Sequence, residues 1–196
     1  MFVLPEDLPL ELTPFAFLVG KWSGQGVLSY QTKTEKIERD FNQTVEFSYD
    51  KQPFLGYVSK TNLPDGTPLP TEVGFWRLAK APEVADDGPG LLPGVGQKLI
   101  STREQLEELR NKDGGFDIEV STLHPSGISE LYVGQIKGAR VDLSTDAVMR
   151  SRSAKEYVAA TRMFGLVEGD LLWAWDIAAL GNPLTSHASA RLKKVE

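Results

Sequence analysis

Phe41-Asn42-Gln43-Thr44-Val45-Glu46-Phe47-Ser48-Tyr49 decides the fold class. Phe41, Val45, Phe47 and Tyr49 fall on one face, and Asn42, Thr44, Glu46 and Ser48 on the other. This two-residue period is the mark of a strand with one buried face. Phe116, Ile118 and Val120 alternate with Asp117, Glu119 and Ser121 in the same way. After Gly20, further short strands are predicted near 54–62, 72–79, 128–137, 139–145, 156–166, 171–179 and 186–195. Pro64-Asp65-Gly66, Lys137-Gly138 and Glu168-Gly169-Asp170 punctuate them as hairpin turns. Eight to ten closely spaced strands with little helix predict an all-β barrel or sandwich. Short hairpins favour sequential antiparallel pairing, and a closed up-and-down barrel leaves no edge exposed and can hold one small ligand.

Two stretches depart from this period. Residues 5–19 mix proline, acids and apolar residues and predict a short helix or turn capping the first strand. Residues 81–100 are rich in glycine and proline. Ser101-Thr102-Arg103-Glu104 then reads as a capping box, with Leu106 and Leu109 at helical spacing, so a short helix is expected at about 101–111. The whole, 1–196, reads as one domain carrying a long helical loop insertion.

Composition narrows the function. The chain has 196 residues, 41% hydrophobic and 24% charged, enough for one sizeable core. With 21 Lys+Arg against 27 Asp+Glu the formal net charge is −6, and no basic stripe offers a nucleic-acid footprint. The absence of cysteine excludes disulfides, thiolate metal sites and cysteine nucleophiles, and it suits a reducing cytoplasm. No signal peptide is expected, and no apolar run is long enough to span a bilayer.

Imidazole chemistry has only His124 and His187 to draw on. His187, at the start of the last strand, reads either as a strand-end histidine or as the single axial ligand of a metal cofactor such as haem. His124, in Leu123-His124-Pro125-Ser126-Gly127, reads first as a turn residue. Two histidines without cysteine disfavour a protein-only zinc site. Gly20-Lys21-Trp22-Ser23-Gly24-Gln25-Gly26 lacks the flanking strand and helix of a dinucleotide loop. It reads instead as a first barrel strand, with Trp22 plugging the barrel end and glycines allowing close backbone approach. No nucleophile elbow is present. Glu46, Glu72, Glu130 and Asp176 read mostly as solvated strand carboxylates. Trp76, Trp173, Trp175, Phe47 and Phe75 read mostly as core.

Six blocks in order carry a resemblance. They are Gly20 to Gly26 as G-x-W-x-G-x-G; Tyr30-Gln31-Thr32; Glu72-Val73-Gly74-Phe75-Trp76-Arg77; Leu123 to Ile128; Ser153-Ala154-Lys155-Glu156; and Gly181-Asn182-Pro183-Leu184 through His187 to Leu192. Over about residues 12–193 the chain resembles the nitrobindin family, haem-binding β-barrels similar in shape to fatty-acid-binding proteins and lipocalins. The resemblance implies a roughly ten-stranded antiparallel barrel with one haem b per chain. It also implies His187 as proximal iron ligand, with Thr32 and Lys155 contacting the haem. The implied activity is binding of nitric oxide and isomerisation of peroxynitrite to nitrate. Dimerisation occurs in relatives, so a homodimer is expected on the same ground. The competing expectation is a non-catalytic carrier of a fatty acid, another apolar molecule or nitric oxide. The stretch at 81–112 departs from the family and, placed at a barrel mouth, would act as a lid. Alternation adds one condition: with His187 facing inward, Ser189 and Arg191 would face inward too, unless the strand bulges or His187 acts from the rim.

Overall fold

The computed structural model describes residues 7–31, 34–80 and 100–195. Ten strands follow in chain order: β1 Gly20–Gln31, β2 Lys36–Ser48, β3 Phe54–Asn62, β4 Glu72–Leu78, β5 Phe116–His124, β6 Ile128–Lys137, β7 Arg140–Arg150, β8 Tyr157–Val167, β9 Asp170–Ala179 and β10 Thr185–Lys194. Each pairs antiparallel with the next, and β10 pairs with β1 to close the barrel. The tight turns expected at the hairpins form: Glu168 and Gly169 both have positive φ, 54° and 88°, which matches the strands' right-handed twist.

Alternation sets what lies inside. On β2 the inward residues are Phe41, Gln43, Val45 and Phe47. On β4 they are Glu72, Gly74, Trp76 and Leu78, which turns Phe75 outward; it is 56% exposed and packs edge-on against Phe54. Phe75 is therefore not core, because Trp76 beside it is. Phe47, Trp76 and Phe164 meet edge-to-face at the barrel's centre, with ring centroids 5.2–5.3 Å apart between neighbours. Burying such rings contributes about 1.5–3 kcal/mol each.

One end of the barrel is plugged. A 3₁₀ segment, Leu10–Phe15, buries Leu12 and Phe15 together with Leu18, and the Trp22 indole N–H donates to the Leu18 carbonyl at 2.7 Å. Gly24 and Gly26 serve close approach: a Cβ at Gly24 would lie 2.2 Å from the Arg191 carbonyl oxygen, and one at Gly26 2.3 Å from both the Phe41 ring and the Ser189 carbonyl oxygen.

The β4–β5 connection leaves from the plugged end. Glu11, a buried residue of the 3₁₀ segment, accepts from the Ile100 amide at 2.7 Å and from Lys80 Nζ at 3.3 Å, clamping both stems of the insertion. The glycine- and proline-rich part, 81–99, lies outside the described residues. A lid over the barrel mouth is not what its stems support, since they depart from the opposite end. The helix expected at 101–111 is shorter, α1 Arg103–Glu107, and its capping box is one residue further on, joining Thr102 and Gln105.

Candidate functional site

At the other end lies a cavity of about 1040 Å³, walled by Leu28, Phe41, Tyr157, Trp173, Trp175, Ile177 and His187 among others. That is at the upper end of ordinary small-molecule pockets, about 300–1,000 Å³. Its mouth is formed by the end of β1, the β7–β8 segment Ser153–Glu156 and the β9–β10 turn.

His187 enters this cavity by a bulge. On β10, Ser186 pairs with Asp176 and Ala188 with Trp175, consecutive residues of β9, so His187 is the extra residue. Ala188, Ala190 and Leu192 keep the inward positions and Ser189 and Arg191 stay outside. The bulge resolves the conflict that strict alternation poses for His187. Nδ1 lies 3.1 Å from the Ser29 carbonyl oxygen, which can only accept. Nδ1 therefore carries the hydrogen, and Nε2 presents its lone pair. Burial lowers the imidazole pKa, and the Arg162 charge lowers it further against the opposing Ser29 hydrogen bond. The ring is thus held neutral, the form a metal binds. Trp175 packs against it in a T-shaped contact, with centroids 5.1 Å apart and planes at 80°.

Behind Trp175 lies a buried polar network. Arg162 donates from both terminal nitrogens to Glu72, at 2.7 and 2.8 Å, and from Nε to the Tyr132 hydroxyl at 2.9 Å. Its guanidinium lies 4.2 Å from the Trp175 ring centroid. Glu130 is shared: one oxygen accepts from the Tyr132 and Tyr157 hydroxyls, and the other lies 2.6 Å from His124 Nε2. The Tyr57 hydroxyl donates to Glu72 at 3.0 Å. Burial alone would raise the Glu72 pKa, but the Arg162 guanidinium overrides it and holds the carboxyl down at about 2. Glu130 is likewise lowered against its burial, chiefly by the hydrogen bond to His124 and the charge of Arg162.

Of the expected site residues, His187 and Lys155 both line the cavity, Lys155 exposed at its mouth. Thr32 lies outside the described residues. His124 is the last residue of β5 rather than a turn residue, and its ring stacks on Trp175 at 6.2 Å. Glu72 and Glu130 are buried, not solvated, whereas Glu46 is exposed. Arg162 drew no attention in the sequence. Its signal was there: Arg162 is two residues before Phe164 on one strand face, as Glu72 is four before Trp76 and Glu130 two before Tyr132.

A flat apolar group with acidic edges fits these residues. The cavity is large and open at one end, a neutral imidazole presents its nitrogen, and Lys155 stands at the rim. The Trp175 indole N–H, buried in the wall, has no acceptor among the described residues. No cluster of three or more His, Cys, Asp or Glu that could hold a metal ion occurs among them.

Comparison with known proteins agrees. Residues 11–194 match the family described as THAP4-like, heme-binding beta-barrel domain. The chain is 54% identical over 198 residues to a peroxynitrite isomerase of Leifsonia xyli subsp. xyli and 50% over 199 residues to one of Clavibacter michiganensis subsp. michiganensis, covering 100% of each chain in both cases. It is 49% identical to one of Paenarthrobacter aurescens, over 98% of both chains. Among solved structures it is similar to Rv2717c from M. tuberculosis, with a TM-score of 0.69 and 24% identity over 99% of this chain and 100% of that one, which bears on the fold alone.

Proposed function

Because the chain belongs to the THAP4-like haem-binding β-barrel family, we propose that it is a haem-dependent peroxynitrite isomerase, converting peroxynitrite to nitrate, with His187 as the proximal iron ligand. The observation that carries the reading is the His187 imidazole, set into the cavity by a bulge and fixed by Ser29 with Nε2 available. When bound, ferric haem supplies a Lewis-acidic iron that promotes O–O cleavage in peroxynitrite and recombination of the fragments as nitrate.

The protein's own part is to bind, orient and exclude water. The Ser29 carbonyl fixes the tautomer of His187 and raises its basicity toward iron. Trp175, against which Arg162 and His124 also pack, lies beside the His187 ring at a centroid distance of 5.1 Å. Leu28, Phe41 and Ile177 give an apolar wall. Lys155 and Thr32 contact the cofactor in this reading, Lys155 pairing its ammonium with a haem propionate. Nitric oxide would be a further ligand of the bound haem on the same reading. Haem b, a homodimer, a cytoplasmic location and a single domain over 1–196 belong to the same proposal. No helix among the described residues is long and apolar enough to cross a membrane.

The carrier alternative meets an obstacle. A fatty-acid carboxylate would seek the Arg162 guanidinium, which Glu72 already holds two-pronged and Glu130 flanks at 3.6 Å.

The test is titration with ferric haem, following the Soret band, with His187→Ala alongside. Wild type should saturate at one haem per chain, speed peroxynitrite decay and yield nitrate; the variant should lose ligation and weaken binding about tenfold or more. A variant with wild-type ligation and turnover removes His187 from the mechanism. A wild type that takes up no haem but carries a lipid in native mass spectrometry favours the carrier.

A further inference from the structure

We propose that Tyr157 is the pocket's preferred nitration site: nitrogen dioxide that escapes recombination oxidises it, its phenol proton passes to Glu130, and its ring takes the nitro group. The proposal rests on the peroxynitrite isomerase reading, which supplies the oxidant, since O–O cleavage of peroxynitrite releases nitrogen dioxide.

Three observations converge on this tyrosine. Tyr157 lines the cavity and is 7% exposed to solvent. A chain of touching rings joins it to the proposed ligand: Trp175 lies 5.1 Å from His187 and 6.4 Å from Tyr157, centroid to centroid. Its hydroxyl donates to an ionised carboxylate, Glu130. Burial, then the neighbouring Tyr132 and Glu130, raises its pKa, so the phenol keeps its proton in the resting protein. Oxidation therefore requires a proton acceptor already in place. An oxidised phenol is a far stronger acid than any carboxylic acid, so Glu130 takes the proton as the electron leaves.

Another bulge of the sheet provides the placement. Tyr157 pairs with Ala179 and Ala159 with Ala178, so Val158 is extra and lies outside, 60% exposed. This lets Tyr157 face inward along with Ala160 and Arg162 of the same strand. Tyr57 also lines the cavity, but it packs on Phe47 and Trp76 rather than Trp175, and its partner Glu72 is committed to Arg162. Tyr132 is fully buried, and among the described residues neither Tyr30 nor Tyr49 donates to a buried carboxylate; Tyr49 donates to the exposed Asp7.

The chemistry balances. Tyr157 gives one electron to nitrogen dioxide, which leaves as nitrite, and one proton to Glu130. A second nitrogen dioxide, released by another haem-loaded molecule, couples to the ring carbon beside the phenol oxygen. The hydrogen on that carbon moves to the oxygen and restores the phenol, leaving 3-nitrotyrosine. In total, two nitrogen dioxide and one tyrosine give nitrotyrosine, nitrite and a proton.

The experiment exposes the haem-loaded and haem-free protein to peroxynitrite and maps 3-nitrotyrosine by peptide mass spectrometry, with decay rate and nitrate yield recorded on the same samples. Tyr157 should be nitrated at least severalfold more than Tyr30 or Tyr49 in the loaded protein, and that preference should vanish without haem. Glu130→Gln, checked for an unchanged Soret band, should cut Tyr157 nitration severalfold. Loaded protein that yields nitrate rapidly but nitrates Tyr157 no more than Tyr30 or Tyr49, or equally with and without haem, overturns the Tyr157 assignment alone. Loaded protein that leaves peroxynitrite decay unchanged overturns the isomerase reading and this assignment with it.

Discussion

Glu72 illustrates how much one buried carboxylate depends on its surroundings. Arg162 holds it ionised at a pKa of about 2, against an ordinary 4.5. A lowered folded-state pKa brings stabilisation that is complete above about pH 4.5 and is lost as pH falls through about 2. The protein should therefore lose on the order of 3 kcal/mol over that window from this group alone. Glu72→Gln should be about 3 kcal/mol less stable at neutral pH, because it leaves Arg162 without its two-pronged partner, and its stability should fall less on acidification. Denaturant unfolding of both proteins from pH 7 to pH 2 measures this; parallel curves would show that Glu72 is not the group responsible. This network was the least legible part of the sequence. Glu72 and Arg162 stand 90 positions apart, and period-two reading places each on a face without saying that the faces meet. A charged residue on the face of Trp76, Tyr132 or Phe164 is the one sign a sequence offers of such a cluster.

At the level of elements, the strands were readable and their irregularities were not. Phe41 to Tyr49 and Phe116 to Ser121 alternate as their burial does. A bulge leaves no compositional mark, and so the inward course of His187 followed from sequence only as a conflict to be resolved. The glycines of the first strand were legible as close-approach positions, and the distances bear that reading out. Gly24→Ala sets a Cβ against the Arg191 carbonyl oxygen of β10. Separating β1 from β10 by the room a methyl needs should cost about 1–3 kcal/mol and lower Tm by several degrees. Thermal unfolding of the variant checks this, and an unchanged Tm would mean that the β1–β10 seam yields without cost.

The whole molecule divides its ends. The 3₁₀ segment, Leu18 and Trp22 seal one, and the cavity occupies the other. Sequence alone could not assign the 81–112 insertion to either end, because that depends on the direction in which β4 leaves the barrel. Glu11 holds both of its stems at the sealed end. Replacing residues 82–98 by a flexible linker of about six residues, a common connection length, should leave haem affinity within about twofold. The same titration reads the result, and a large loss of affinity would give the insertion a part in the pocket. The bulge at His187 has a consequence of another kind. Because the residue is supernumerary to the alternation of β10, the donor atom that His187 would offer a cofactor, on the reading proposed above, is independent of the packing of Ala188, Ala190 and Leu192. A thiolate, phenolate or thioether exchanged in at that position would meet the same barrel, so one scaffold would serve to compare axial ligands of different softness with the protein frame held constant.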